Sequence, residues 1–449
     1  MICRKPALQN ILLLLASLFF YAWGEPVYVL LLLFSIVFNW GCGMLMPRAK
    51  KPVLVLSVSV NLILLGVFKY ADFVTNTLGR LLPFLHIPRV ALPLPIGISF
   101  FTFQAMAYII DLYRGKYEVQ KDPLKLALYI SFFPQLIAGP IVRYTDIADQ
   151  ITARRRLRWD ECLQGFYRFV IGLSKKVLIA DVIGRTVDVA LGGDLAAMDT
   201  GTAWVTITAY TMQLYFDFSG YSDMAIGLGR IMGFRFPENF DNPYNSASIT
   251  EFWRRWHITL GAFMRNYLYI PLGGNRHGTA RTYFNLWVVF LLSGLWHGAS
   301  WNFVLWGAYH GFFLVVERIL SRHIPLFDTK RRHPLFVLPT FIILLVGWAI
   351  FRIEDLPSCW LFIQRLFAFD KPIFNSQCSI FNSQFYVTLV VALLFAFCKL
   401  FFNSQFSILN SHYSPKAHIP VWLVACLLFF FCLGALTATD FSPFIYFRF

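Results

Sequence analysis

Apolar runs long enough to cross a lipid hydrocarbon core recur from one end of this chain to the other, and they restrict its fold more than any motif does. A helical crossing takes ~20 residues. Runs of about that kind lie near 8–22, 27–46, 52–69, 93–113, 124–142, 163–190, 201–218, 283–296, 299–320, 335–352, 385–402 and 419–438. Roughly eleven or twelve helices follow, the short runs at 8–22 and 283–296 being candidates for re-entrant or buried segments, since irregular backbone survives at depth where protein surrounds it. Hydrophobic residues make up 57% of the chain, charged residues 14%, and mean hydropathy is +0.59, all outside the range of a soluble domain. The expectation is an all-α, polytopic integral membrane protein, one transmembrane domain over residues 1–449 with no soluble domain between spans.

The net charge of +15 would point to nucleic acid in a soluble protein. Here the basic residues sit in short connections, at 48–51, 154–158, 175–176 and 318–332. Cytoplasmic loops and contact with anionic lipid account for such a pattern, so membrane lipids and not nucleic acid are the expected partners. The eight cysteines show no Cys-x-x-Cys spacing and sit mostly among apolar residues, which indicates neither a metal site nor a disulfide framework. Arg4 and Lys5 before an apolar run resemble the start of a signal peptide, but the following Phe19–Trp23 offers no small-residue cleavage site, and a retained helix is expected. Phe-Asn-Ser-Gln recurs at 374, 381 and 402, with an echo at 409–411, and reads as a low-complexity insert over about 374–412 without a role.

Polar content concentrates between 213 and 311. Asp217 and Asp223 lie among small residues in an apolar run, where carboxylates either serve function or tie helices together. Ser248 with Glu251 three residues later is a capping-box pattern that starts a helix. On that helix Arg254, His257, Gly261 and Arg265 would share a face, with Arg254, Arg255 and Arg265 free to meet lipid phosphates or the phosphates of an acyl donor. His297 stands inside the apolar stretch 283–311, beside Gly294, Gly298, Ala299 and Ser300, which would leave room for a ligand at the ring. A neutral imidazole suits proton abstraction near neutral pH. His310 follows one helix later, where it could instead pair with a neighbouring helix. No His-Glu-x-x-His occurs, and Gly220–Met224 lacks the closing glycine of a nucleophile elbow, so a histidine base is the mechanism left.

Five segments, Leu94–Gln104 (LPIGISFFTFQ), Phe133–Arg143 (FPQLIAGPIVR), Phe252–His257 (FWRRWH), Tyr269–Arg276 (YIPLGGNR) and Gly294–Ala299 (GLWHGA), together resemble the membrane-bound O-acyltransferase (MBOAT) family over about residues 10–370. The Pro-Leu-Gly-Gly-Asn-Arg loop is similar to the bacterial branch that holds the membrane components of alginate and peptidoglycan O-acetylation. The resemblance implies a fold with a central tunnel in the bacterial inner membrane, with no bound cofactor. It implies transfer of an acetyl group from acetyl-CoA or another cytoplasmic thioester to a hydroxyl of an extracytoplasmic polysaccharide, or to a periplasmic SGNH-type partner protein. His297 matches the family's catalytic base and His257 a second histidine on the donor side. Asn302 and Trp296 are candidates for oxyanion donors. D-alanyl transfer to teichoic acid is the alternative within the family, and a polytopic transporter the alternative outside it. Members of this branch usually carry a further hydrophobic helix before the segment matching Leu12–Trp23, which leaves a missed upstream start or a true truncation as readings of the N-terminus.

Overall fold

The computed structural model describes residues 5–90, 92–156, 158–324, 326, 333–372, 380–401 and 415–438. Among them every regular element is helical. In chain order these are α1 (Pro6–Gly24), α2 (Val29–Leu45), α3 (Lys50–Leu65), α4 (Ala71–Leu81), α5 (Ile98–Tyr113), α6 (Pro123–Ser131), α7 (Phe133–Leu136), α8 (Tyr144–Thr152), α9 (Trp159–Ser174), α10 (Asp181–Gly192), α11 (Thr200–Ile231), α12 (Ile249–Arg255), α13 (Ile258–Met264), α14 (Gly278–His297), α15 (Trp301–His323), α16 (Val337–Arg352), α17 (Leu356–Phe367), α18 (Ser383–Phe401) and α19 (Pro415–Thr437). Five continuous helical courses are long and apolar enough to cross a membrane, Pro6–Gly24, Lys50–Leu81, Trp301–His323, Pro334–Arg352 and His418–Thr437. Shorter apolar helices cover Val29–Leu45, Ile98–Tyr113 and Ser383–Phe397. Large apolar side chains such as Leu12, Leu15, Phe19, Leu427 and Phe430 stay exposed on these helices, as expected for a surface solvated by lipid. The chain is a multi-pass membrane protein.

Two compact units are distinguished, Met1–Phe166 with Ala225–Pro237, and Tyr167–Met224 with Glu238–Phe449. In the first, α5 is buried along nearly its whole length. Its start depends on Gly97, whose φ of +77° and close approach to the Leu136 carbonyl leave no room for a Cβ. The apolar run at 124–142 is not one helix. Pro134, in the first turn of α7, has no N–H with which to continue the ladder from α6, and Gly139 then turns with φ +105°. Between α2 and α3, Asn39, Ser57 and Asn61 bond one another with no exposed surface to speak of, so their amides are satisfied inside the bundle.

In the second unit, the apolar run at 201–218 does not stop at its acidic residues but continues as the 32-residue α11. The carboxylates are tolerated because cations meet them. Lys176 Nζ lies 2.6 Å from Asp217, and Arg168 and Lys175 each lie 2.6 Å from Asp223. Gly172 and Gly220 bring α9 and α11 into backbone contact, each leaving the other's carbonyl no space for a methyl. The helices α14 and α15 form a hairpin over the turn Gly298–Ser300 by the same device. A Cβ on Gly294 would collide with the Phe303 carbonyl, one on Gly298 with the Phe303 ring, and one on Gly307 with the Phe290 carbonyl. The space beside Gly294 and Gly298 is therefore taken up by α15, so these two glycines serve the helix contact and are not themselves the opening expected at the ring.

Of the Phe-Asn-Ser-Gln copies, that at 381–384 starts α18, with Phe381 buried and Asn382 Oδ1 accepting from Phe385 N–H at 2.8 Å, so it is a helix cap and not an idle insert. The copies at 374 and 402 and the echo at 409–411 lie outside the described residues.

Replacing Gly294 with alanine should cost about 1–3 kcal/mol, because backbone and not a flexible side chain blocks the new methyl. Gly434→Ala, where nothing lies within 4 Å, should be neutral. Thermal unfolding of both variants in detergent checks this, and equal midpoints would refute the close hairpin.

Candidate active site

Ser248 caps α12 as its sequence predicts, its hydroxyl accepting from Glu251 N–H at 3.0 Å. The reciprocal arm is displaced by one residue, since the Glu251 carboxylate takes the Ala247 N–H at 2.8 Å. Glu317 on α15 adds a second cap. It accepts from the N–H groups of Ile249 and Thr250 and from the Thr250 hydroxyl at 2.8 Å. The α12 N-terminus is thus fixed to another helix by one carboxylate.

The helix that starts at Ser248 ends at Arg255, against the expectation of one face carrying Arg254, His257, Gly261 and Arg265. Trp256 is extended and His257 takes φ +46°, and α13 begins afresh after it. This break is held by Asn239 in the irregular segment before α12. The Asn239 carbonyl accepts from Ile258 N–H at 3.0 Å, and its side-chain oxygen accepts from Thr259 N–H at 3.3 Å and from the Thr259 hydroxyl at 2.8 Å. Because a backbone N–H only donates, that side-chain atom must be oxygen, and His257 Nδ1 at 3.1 Å from it must carry the proton. Buried and with no partner at Nε2, the ring is neutral, and Nε2 is its bare lone pair.

His297 is the last residue of α14, at the hairpin turn, and is 6% exposed. Aromatic rings surround it. Trp296, Trp306 and Phe351 have centroids 5.0, 5.1 and 5.3 Å from the imidazole. Trp296 also lies 6.1 Å from His257, so the two histidines flank one indole. On its other side Trp306 packs against His310 at 4.9 Å, which places His257, Trp296, His297, Trp306 and His310 in one run of ring contacts. His310 is fully buried, also touches Trp253 at 5.0 Å, and has no hydrogen-bond partner on either ring nitrogen. The sequence pattern of three separated histidines gave no sign of this alignment.

The other candidates divide by what they already bond. Asp217 and Asp223 are neutralised by Lys176, Lys175 and Arg168, and Arg168 reaches on to Glu238 at 2.6 Å. Arg255 pairs with Glu251 at 2.8 Å and Asp241 at 3.3 Å, holding the break in place. Arg254 and Arg265 are exposed and make no ion pair among the described residues. The Asn302 amide nitrogen donates to the carbonyls of Ile350 and Phe351 at 3.3 and 3.4 Å, and its oxygen accepts from Ser300, so it ties the hairpin turn to the end of α16. Among the described residues no three His, Cys, Asp or Glu side chains converge as metal ligands. Asn239, Glu317 and Arg168 are the position-setting residues that sequence reading overlooked, since each acts on a partner 18 or more residues away.

Comparison with known proteins places these residues within a family. The membrane-bound O-acyltransferase family model matches residues 120–354, which include His257, His297 and His310. The chain is 45% identical to the "Probable alginate O-acetylase AlgI" of Pseudomonas aeruginosa over 370 residues, covering 80% of this chain and 70% of that protein. It is 40% identical to the peptidoglycan O-acetyltransferase of Helicobacter pylori, covering 79% and 73%. Likeness to the teichoic acid D-alanyltransferase of Bacillus subtilis is weaker, 30% identity over 52% of this chain. By both measures, the chain belongs to the membrane-bound O-acyltransferase family.

Proposed function

We propose that this protein moves an acetyl group from acetyl-CoA, or another cytoplasmic thioester, to a hydroxyl on the outer side of the bacterial inner membrane. The final acceptor is a polysaccharide, reached directly or through a periplasmic SGNH-type partner. The observation that carries the reading is the pair of buried histidines on either side of Trp296, one of them with its proton fixed on Nδ1 and a bare Nε2. His297 takes the acceptor's hydroxyl proton as that oxygen attacks the thioester carbonyl. The carbon–sulfur bond then breaks, and the thiolate leaves with the proton returned to it. His257, neutral and oriented by Asn239, accepts a hydrogen bond on the donor side. Arg254 and Arg265 are free to contact donor phosphates, whereas Arg255 is already committed to Glu251 and Asp241. His310 acts through Trp306 as a packing neighbour of the base.

His297→Ala should lower acetyl transfer by about 10²–10⁴-fold, the usual worth of a general base, with the protein still in the membrane at near-normal level. Acetylated product retained in cells expressing only this variant would remove the assignment. His257→Asn, a residue that tolerates the same left-handed backbone, should give a smaller loss. Asn239→Ala should follow His257→Asn in activity, because it releases the ring and leaves the Thr259 donors unpaired. Full activity in Asn239→Ala would show that the tautomer does not matter.

An acyl group, and not the whole donor, should change sides, since carrying a charged nucleotide through hydrocarbon is far costlier than letting donor and acceptor meet at one site. Proteoliposomes are given acetyl-CoA labelled in both halves outside and an acceptor glycan inside. The acetyl label should appear bound to the glycan while the CoA label stays out. Entry of both labels together would favour a transporter.

A further inference from the structure

In the first unit, the connection between α8 and α9 and the end of α11 bound a half-open cavity of about 250 Å³. Six arginines line it, Arg154, Arg155, Arg156, Arg158, Arg230 and Arg235, against the single carboxylate of Glu161. We propose that this cavity is a binding site for a phosphate group borne by a larger molecule.

The site is built and not merely a basic surface. Arg155 is 7% exposed, its guanidinium lies 4.5 Å from the Phe234 ring centroid, and it donates to Asn10 Oδ1 and to the Gln150 carbonyl at 3.0 Å. Its Nε is buried with no acceptor. Gly233, with φ +83°, lets that side chain lie against the backbone where a Cβ would stand 3.2 Å from it. Gln150 clamps Arg235 from both sides, accepting from its N–H at 2.7 Å and donating to its carbonyl at 3.1 Å. Glu161 takes one N–H from Arg230 at 2.6 Å and one from Arg235 at 3.0 Å, which leaves most of the five donors on each guanidinium unspent. Burial works to raise the Glu161 carboxyl, but the two guanidiniums outweigh it and hold the group below its ordinary range, so it stays ionised and fixes both arginines. Arg154, Arg156 and Arg158 are exposed and make no ion pair among the described residues.

So many like charges held around one space repel one another unless an anion joins them, and guanidinium forks match phosphate oxygens in geometry. The volume falls short of the roughly 300–1,000 Å³ that takes a whole small-molecule ligand, which fits one phosphorylated end and not a complete cofactor. Phe234 is already covered by Arg155, so the cavity offers no free ring for a purine. The phosphate can come from an anionic lipid headgroup or from the nucleotide end of the acyl donor, and only the second source rests on the acetyl-transfer reading.

The test uses full-length protein in nanodiscs, comparing Arg154→Gln/Arg156→Gln/Arg158→Gln with the control Arg48→Gln/Lys50→Gln/Lys51→Gln, which removes equal charge from the exposed start of α3 and the residues before it. In phosphatidylcholine discs, adenosine 3′,5′-bisphosphate is titrated. In discs that also hold phosphatidylglycerol, lipid retained after extraction is counted by native mass spectrometry. On the order of tenfold weaker nucleotide binding in the cavity variant alone identifies the donor as the source. Loss of retained phosphatidylglycerol in that variant alone identifies the lipid. If neither probe separates the cavity variant from the control, the proposal is overturned. Both measurements read binding without turnover, and His297→Ala should leave them unchanged, so failure of the catalytic reading is told apart from failure of this one.

Discussion

A backbone that leaves the helix inside an apolar protein strands N–H and C=O groups that no water reaches, and supplying partners for them is the constraint on which the histidine region depends. Two residues do most of this. Glu317 takes the free N–H groups at the start of α12, and Asn239 takes those at the start of α13. Between these anchors the chain can bend at Trp256 and His257, and the bend faces the imidazole toward Trp296 and not along a helix face.

Buried charge in the second unit follows the same economy of partners. Each acid in α11 has a cation within ion-pair distance, and Lys176 serves Asp181 as well as Asp217. Removing one member would leave an uncompensated charge, which costs more than the pair itself is worth. These groups therefore read as struts that let a long helix carry polar residues at depth. The histidines differ from them in kind. Nε2 of His257 and both nitrogens of His310 have no hydrogen-bond partner among the described residues.

What the sequence made legible was local. The run lengths announce a helical membrane protein, and Ser248 announces the start of α12. Misreadings arose where the answer lay in a distant partner. Gly294 and Gly298 imply vacant volume, but only the fold says that Phe303 fills it. The run at 201–218 gives no sign that the helix goes on through Asp223, because the cations that meet its acids, Lys176 and Arg168, are remote in sequence. Nothing between Arg254 and Thr259 is a glycine or proline, so no residue there signalled that the helix breaks. The arginines of 154–158 were read as topology, since their enclosure depends on Gly233 and Gln150 from other segments.

The left-handed backbone of His257 has a consequence for how its history would be interpreted. Few L-residues adopt φ near +46° at low cost, asparagine, aspartate and histidine among them, and glycine adopts it freely. Selection at this position thus acts through the main chain as well as the ring. A lineage that lost the chemistry could keep histidine for its backbone, or drift only as far as asparagine or glycine. Invariance here would be weaker testimony to catalysis than invariance at His297, which closes an ordinary helix that almost any side chain could end.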